Sequence, residues 1–381
     1  MNKTLLKEKY QENFKDTGLK EGIFKAPKTL SLIGDHTEYN NGYLITTALD
    51  REIIAYFQLR DDNKIKLVSL DHDESFETDI KELDAKKTWN INIINSVIGL
   101  YNEDYNLQGF NMIFKGDGVY KDEFGYDTAL NLLTFMGSNY LNELNLTSEQ
   151  ILSLAQDAQH NINETILPYT SQNSKKNNLL LIDSENYENE IIPFNDEKYQ
   201  FLITDIKKDS VTFKAEYIGA KEKFENIINF FNEKVEEKVE TLRDINLNEL
   251  FSYEKNFNQD EYGKAVHVLT ENRRVLDFGS SIERDNYQKA GSLMYASYLS
   301  LKNEFGIENE KIDFLVAKTN KLDGVMGTKA SYGGFGQYTV SLIKKEKSAQ
   351  IIENIKQVYS DKYNAKIDFY LTNTADGATQ L

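Results

Sequence analysis

The residues best equipped for chemistry lie close together near the start of the chain. Asp35, His36 and Glu38 follow the short apolar run Leu30-Ser31-Leu32-Ile33-Gly34, and the polar pair Asn40-Asn41 precedes Gly42 and a second apolar run. A carboxylate accepts several hydrogen bonds, so two of them with an imidazole on a strand–turn frame suit a ligand rich in hydroxyl groups. Taken as residue types alone, Asp35 and Glu38 are more simply read as capping and solvating a turn. Other catalytic patterns fail. The chain has no cysteine, which removes thiolate chemistry. The remaining histidines, His72, His160 and His267, show no metal-ligand spacing. Asp71-His72-Asp73 reads as a solvated turn and His267 as a satisfied core histidine. Gly116-Asp117-Gly118 begins like a dinucleotide loop, but Lys121 stands at the third glycine position. No Gly-Lys-Ser/Thr and no Gly-x-Ser-x-Gly occurs.

These residues need a frame, and the composition supports one. Of 381 residues, 40% are apolar and 12% aromatic, enough for a packed core. Acidic residues outnumber basic ones 61 to 44, a net charge of −17 that disfavours nucleic acid and anionic membranes as partners. The first residues carry no apolar leader and no long apolar run occurs, so a cytoplasmic location is expected and the sequons at Asn145 and Asn163 carry no meaning. Strands are expected at Ser31–Ile33 and Tyr43–Leu49 around an Asn41-Gly42 hairpin turn, then at Ile53–Leu59, Lys64–Leu70, Gly109–Phe114, Leu179–Ile182 and Phe201–Thr204. Helical spacing marks Trp89–Leu100, Thr128–Leu141, Ile151–His160 behind a capping box at Thr147–Gln150, Lys221–Leu242, Glu261–Phe278 and Ala290–Phe305. Strands at Phe314–Thr319, Gln337–Ile343 and Ile367–Thr372, with a helix near Ala349–Tyr359, complete an α+β pattern of mixed blocks. No linker of biased composition separates domains.

The stretch Ala26–Asn40, APKTLSLIGDHTEYN, resembles the galactokinase signature APGRVNLIGEHTDYN of the GHMP kinase family. Further motifs follow in the family's order: Trp89 with Val97-Ile98-Gly99; Gly109-Phe110 and Gly116-Asp117; Glu271-Asn272-Arg273-Arg274-Val275-Leu276 after His267-Val268; ASYLSL at 296–301; GVMGTKASYGGFGQYTVSL at 324–342; and DGATQL at the end. The resemblance spans nearly the whole chain. It implies a two-lobed GHMP-kinase fold, with mixed and antiparallel sheets covered by helices. The expected lobes are 1–195 and 196–381, with strands possibly shared between them. It also implies that Asp35, His36, Glu38 and Tyr217 face a hexose such as galactose.

The same comparison shows where the pattern breaks. The family's arginine beside the transferred phosphate is Thr29 here. The family's aspartate near the attacking hydroxyl is Pro168, with Glu164 as the nearest carboxylate. Gly125, Tyr126 and Asp127 fall over the three serines of the phosphate loop, near Asp122 and Glu123. Of the former nucleotide contacts Gly333 and Gly334 persist, beside Tyr332 where the family has glycine. Loss of a general base slows a reaction roughly 10²–10⁴-fold, and loss of a preorganised charge stabiliser roughly 10²–10³-fold. The expectation is therefore a hexose-binding pseudo-kinase needing no cofactor. An active divergent sugar kinase using magnesium and ATP, with relocated groups such as Lys28, Lys115 or Glu164, is the alternative. A third reading is a protein-interaction module whose cleft is filled by Tyr120, Phe124, Tyr126 and Tyr332.

Overall fold

The computed structural model describes residues 3–84, 89–116, 124–158, 166–207, 214–234, 236–331 and 337–381, with backbone only at 214–219 and 221. In chain order the elements are α1 (Lys3–Asn13), β1 (Glu21–Ile33), β2 (Tyr43–Leu59), β3 (Lys64–Ser69), β4 (Glu74–Asp79), α2 (Ile91–Asn102), β5 (Phe110–Gly116), α3 (Tyr126–Asn142), α4 (Ser148–Asp157) and α5 (Ile166–Asn173). Then come β6 (Asn178–Asp183), β7 (Asn189–Pro193), β8 (Tyr199–Asp205), α6 (Lys214–Asn232), α7 (Leu247–Ser252), α8 (Gln259–Glu283) and α9 (Tyr287–Asn303). The last are α10 (Glu310–Thr319), β9 (Val325–Ser331), β10 (Tyr338–Lys344), α11 (Ser348–Tyr363), β11 (Asp368–Thr372) and β12 (Thr379–Gln380). The fold is α+β, as expected.

The chain forms two compact units that interleave along the sequence, in place of a single cut after residue 195. Unit one holds Met1–Leu30, Ala48–Lys176 and Ala375–Leu381; unit two holds Ser31–Thr47 and Asn177–Thr374. The long strands β1 and β2 contribute residues to both.

In unit one the strands run in the order β12-β1-β2-β5-β3-β4, antiparallel for β2–β5 and β3–β4 and parallel for β3–β5. Successive side chains of β2 and β5 point to opposite faces, and both faces are covered. Ile53, Ala55, Phe57, Met112 and Phe114 join the core under α2 and α3, while Ile54, Tyr56 and Ile113 join Leu6 and Tyr10 of α1. Burial on both faces is why these strands read as continuous apolar runs.

In unit two the strands β11-β8-β10-β9 form a second, antiparallel sheet. Leu202, Val325, Ala330 and Ile343 from it pack with Tyr298, Ile312, Leu315, Ile351 and Ile355 from α9, α10 and α11. A separate core joins α6, α7 and α8 through Phe224, Ile227, Phe231, Leu250 and Val268. The first four residues of β2 pair with β6, which pairs with β7.

Three sequence expectations give way. Phe314–Thr319 is not a strand but the end of α10: Ile312, Leu315, Val316 and Thr319 are buried at helical spacing, behind Asn309 as N-cap. Val316 and Phe314 misled because such residues also favour strands. The long helix expected at Lys221–Leu242 stops at Asn232, whose side chain closes a loop by bonding Val239 N and O at 2.9 and 2.8 Å. The Asn41-Gly42 turn does not join two strands tightly; the connection from Ile33 to Tyr43 contains a short 3-10 turn at Glu38–Asn40. The capping box at Thr147 and Gln150 forms as expected.

Helix α9 lies directly on β9. A Cβ on Gly291 would sit 1.9 Å from Met326 O, and one on Gly327 2.0 Å from Gly291 O. Backbone opposes backbone there, so no side-chain rotation relieves the clash. Gly291→Ala should lower the unfolding free energy by about 3 kcal/mol or more, read as an earlier midpoint in urea. An unchanged midpoint would mean that the helix and strand are not in this contact.

Candidate functional site

The connection 34–43 belongs to unit two and carries the expected Asp35, His36 and Glu38. Gly34 turns the chain at the end of β1 with φ +106°, a conformation that favours glycine, and a Cβ there would meet Tyr43 O at 2.6 Å. Its N–H donates to Glu271 Oε1 at 3.0 Å. The next residue, Asp35, directs its carboxylate at the ammonium of Lys329 on β9, and both side chains are at most 2% exposed. The Asp35 carbonyl accepts from His267 Nε2 at 3.1 Å. Because a carbonyl can only accept, this nitrogen carries the proton.

His36 also lies in the interior, at φ +65°. Its ring stacks on Phe305 with centroids 3.7 Å apart, and its Nδ1 lies 2.8 Å from Tyr39 Oη. Glu38 is half-buried and opens the 3-10 turn; its carbonyl accepts from Ser184 Oγ at 2.8 Å. Tyr217 falls on α6, of whose side chains at that point nothing is described.

The far end of the connection is held as firmly. Arg243 forms an ion pair with Asp183, donates to Tyr43 Oη at 2.7 Å and to the Asn41 carbonyl, and lies over the Tyr43 ring at 4.4 Å. Tyr43 N donates to Asn272 Oδ1 at 2.9 Å.

Below the connection, α8 and α9 supply a polar network, which Ser300 Oγ extends to Glu304. Glu271 Oε1 accepts from Ser297 Oγ at 2.5 Å and Oε2 from Arg274 Nε at 2.6 Å. Arg274 Nη2 reaches Ser300 Oγ at 2.8 Å, and Ser300 Oγ lies 2.9 Å from His267 Nδ1. His267 is thus the satisfied core histidine expected. Burial depresses its pKa to about 4, although Glu271 pulls upward. Burial, with His267, Lys264 and Lys329 nearby, likewise holds His36 well below the usual range. Burial pushes the Asp35 carboxyl up, against the pull of Lys329. For Glu271 burial pushes up, but His267, Arg274 and Lys329 outweigh it and the carboxyl falls below its ordinary range.

Of the positions expected to handle phosphate, Thr29, Gly125, Tyr126, Asp127 and Pro168 lie in unit one. Thr29 is buried; its N–H donates to Phe124 O at 2.7 Å, and its hydroxyl fills the space beside Gly125, where a Cβ would meet it at 2.5 Å. Gly125, at φ +71°, is the N-cap of α3. Tyr126 is buried with its hydroxyl 3.2 Å from Asp71 Oδ2, and the Lys28 ammonium, also buried, lies 5.3 Å from the Tyr126 ring centre. Asp127 occupies the first turn of α3, where a carboxylate favours the helix dipole. Pro168 is buried in the first turn of α5, where its missing N–H leaves no helical bond unmade. Ser171 on α5 donates to the Pro27 carbonyl at 3.0 Å.

Asp71 corrects the reading of a solvated turn. Its side chain is fully buried and gathers Lys115 at 2.9 Å and Gly116 N at 2.7 Å, together with Tyr126. Lys115 is thereby committed within this cluster. Tyr120, Asp122, Glu123, Glu164, Tyr332, Gly333 and Gly334 lie outside the described residues. Among those described, no three His, Asp or Glu side chains group as a metal site, and no helix is long and apolar enough to cross a membrane.

Sequence reasoning gave no role to Lys329, Glu271, Arg274 or Arg243. A signal existed for two of them: His267, Glu271 and Arg274 are spaced to share one helix face. Lys329 and Arg243 lie remote from the connection in sequence, and nothing local pairs them with it.

Residues 8–59 match the galactokinase galactose-binding signature. The galactokinase of Clostridium acetobutylicum is 28% identical, over 99% of this chain and 98% of its own length. That of Fusobacterium nucleatum is 26% identical over the full length of both. This chain is galactokinase-like, with the GHMP-kinase fold. Among solved structures, Lactococcus lactis galactokinase complexed with galactose superposes with a TM-score of 0.90 at 22% identity, covering 99% of each chain. The Methanococcus jannaschii mevalonate kinase superposes with a TM-score of 0.64 at 15% identity, over 94% of this chain and 99% of its own.

The buried histidines of this galactokinase-like chain make stability depend on pH. A histidine whose folded pKa lies below its unfolded value of about 6.5 binds fewer protons folded than unfolded. Its contribution is complete above that value and is lost as pH falls toward the folded pKa. For His267, with a folded pKa of about 4, the loss between pH 7.5 and pH 5 is about 2 kcal/mol. His267→Asn should flatten the decline in urea midpoint over that interval. An equal slope in the variant would refute the assignment.

Proposed function

We propose that this galactokinase-like chain binds galactose or a related hexose at the 34–43 connection and transfers phosphate poorly or not at all. It acts as a sugar-responsive binder or regulator in the cytoplasm. The observation that carries this reading is the state of the family's two reacting positions. Thr29 is packed beside Gly125 with its N–H bonded to Phe124, and Pro168 is buried in the first turn of α5. Neither can offer a guanidinium or a carboxylate. Phosphoryl transfer depends almost wholly on positioning and charge stabilisation, so these losses fall on the essential terms.

The start of α3 supports the same reading. A triphosphate with its magnesium needs open N–H groups and small hydroxyl side chains. Gly125, the buried Tyr126 and the acidic Asp127 stand there, and they do not fit that group. The second reading, an active divergent galactokinase using magnesium and ATP, is favoured by full-length similarity to proteins named galactokinase.

Two measurements separate these. Titration calorimetry with a hexose panel should give saturable heat, and a hexose at ten times Kd should stabilise the fold by about 1.4 kcal/mol. Absence of both, at millimolar sugar, would leave the interaction-module reading. A coupled ADP-release assay with magnesium should show turnover at least 100-fold below the roughly 1–100 per second of ordinary kinases. Turnover within that range would establish the active enzyme instead.

A further inference from the structure

The end of the 34–43 connection is held by a residue from a distant part of unit two. Arg243 lies 200 positions beyond Tyr43, in a 3-10 turn at Leu242–Asp244. Leu242 and Ile245 are buried in the core of α6, α7 and α8, which anchors that turn. From there the two terminal nitrogens of the guanidinium meet four acceptors. These are both oxygens of Asp183 on β6, the Asn41 carbonyl, and the Tyr43 hydroxyl at 2.7 Å. The two nitrogens together carry four N–H bonds, so the match is complete.

Asn41 is where such a hold matters. It is left-handed, at φ +56° and ψ +28°, a conformation disfavoured for residues with a Cβ, although asparagine enters it more readily than most. Gly42 follows in a space without slack: a Cβ on it would meet Asn272 Oδ1 at 2.4 Å and Thr37 Cβ at 2.5 Å. The Gly42 carbonyl accepts from Ser184 N at 2.9 Å and from Ser184 Oγ at 2.8 Å.

We infer that Arg243 is a positioning residue for the ligand site: its guanidinium pins the left-handed peptide of Asn41 against β6 and so fixes the course of residues 38–43, without touching the ligand. The inference rests on the hexose binding proposed above. The acceptors differ in what they require. Asp183 needs a positive charge, which an ammonium also supplies. The Asn41 carbonyl and the Tyr43 hydroxyl need the flat fork, because one ammonium cannot face them and both carboxylate oxygens at once. Charge therefore serves the stability of the fold, and the shape of the fork serves the connection.

Arg243→Lys separates the two. It keeps the ion pair, so the urea midpoint should stay near that of the natural chain. The amides of Asn41, Gly42 and Tyr43 are bonded to Glu38 O, Thr37 O and Asn272 Oδ1. Measured without sugar, their hydrogen exchange should quicken about tenfold in the variant, and exchange elsewhere should not. Galactose affinity by calorimetry should fall about fivefold, the scale of a site that is intact but loosened. Adding Asn41→Gly, which takes the left-handed conformation freely, should return the affinity to within about twofold of the natural chain.

An Arg243→Lys chain that exchanges and binds like the natural one overturns the inference. So does one that fails to fold, or that loses midpoint and affinity with exchange quickened throughout, because Arg243 then has a structural role alone. Faster local exchange with unchanged affinity overturns it too, as does a double variant that recovers nothing. If the natural chain binds no galactose, the proposed function fails by itself, and the exchange measurement then decides the pin alone.

Discussion

An ion pair with both members in the interior dominates the arrangement of unit two. Asp35 and Lys329 are 294 positions apart in the chain and almost wholly removed from water. Such a pair adds little net stability compared with apolar packing, because desolvation opposes the attraction. Once formed, however, it tolerates no separation, since either charge alone in that place is severely unfavourable. It therefore acts as a register mark between the end of β1 and the strand β9. Around it, Glu271, Arg274, Ser297, Ser300 and His267 satisfy one another and leave the backbone of Gly34 and Asp35 a single permitted course. A fully connected buried network of this kind specifies shape more than it contributes energy.

Unit one answers a different demand. There Thr29, Tyr126 and Pro168 are packing residues. Thr29 fits beside a glycine in a left-handed turn, Tyr126 is buried on Asp71, and Pro168 lies inside a helical first turn where proline does no harm. Each is locally consistent with the fold around it.

Much of this was legible in the sequence. Period-two and period-3.6 patterns marked most of the sheet and the long helices, and Thr147 with Gln150 marked the start of α4 correctly. The signature at residues 26–40 located the connection that the unit-two network surrounds. What was not legible has a common physical cause: it depends on contacts between residues far apart in the chain. Lys329 looks like any lysine in a strand, and only the tertiary fold gives it Asp35. Asp71 looked like a solvated turn because its neighbours His72 and Asp73 are polar, whereas burial is decided by β5 and α3 closing over it. In α10 the local signal itself was ambiguous, since β-branched and aromatic residues suit either a strand or the buried face of a short helix.

The interleaving of the two units bears on how the molecule comes into being. Residues 375–381 belong to the unit begun by residues 1–30: β12 pairs with β1, and the amides of Gly377 and Ala378 bond to carbonyls following α5 and within it. Unit one therefore lacks a border strand until residues 375–381 are in place. Until then β1 presents an unfilled edge, and the folding chain passes through a stage in which that edge is open to adventitious pairing.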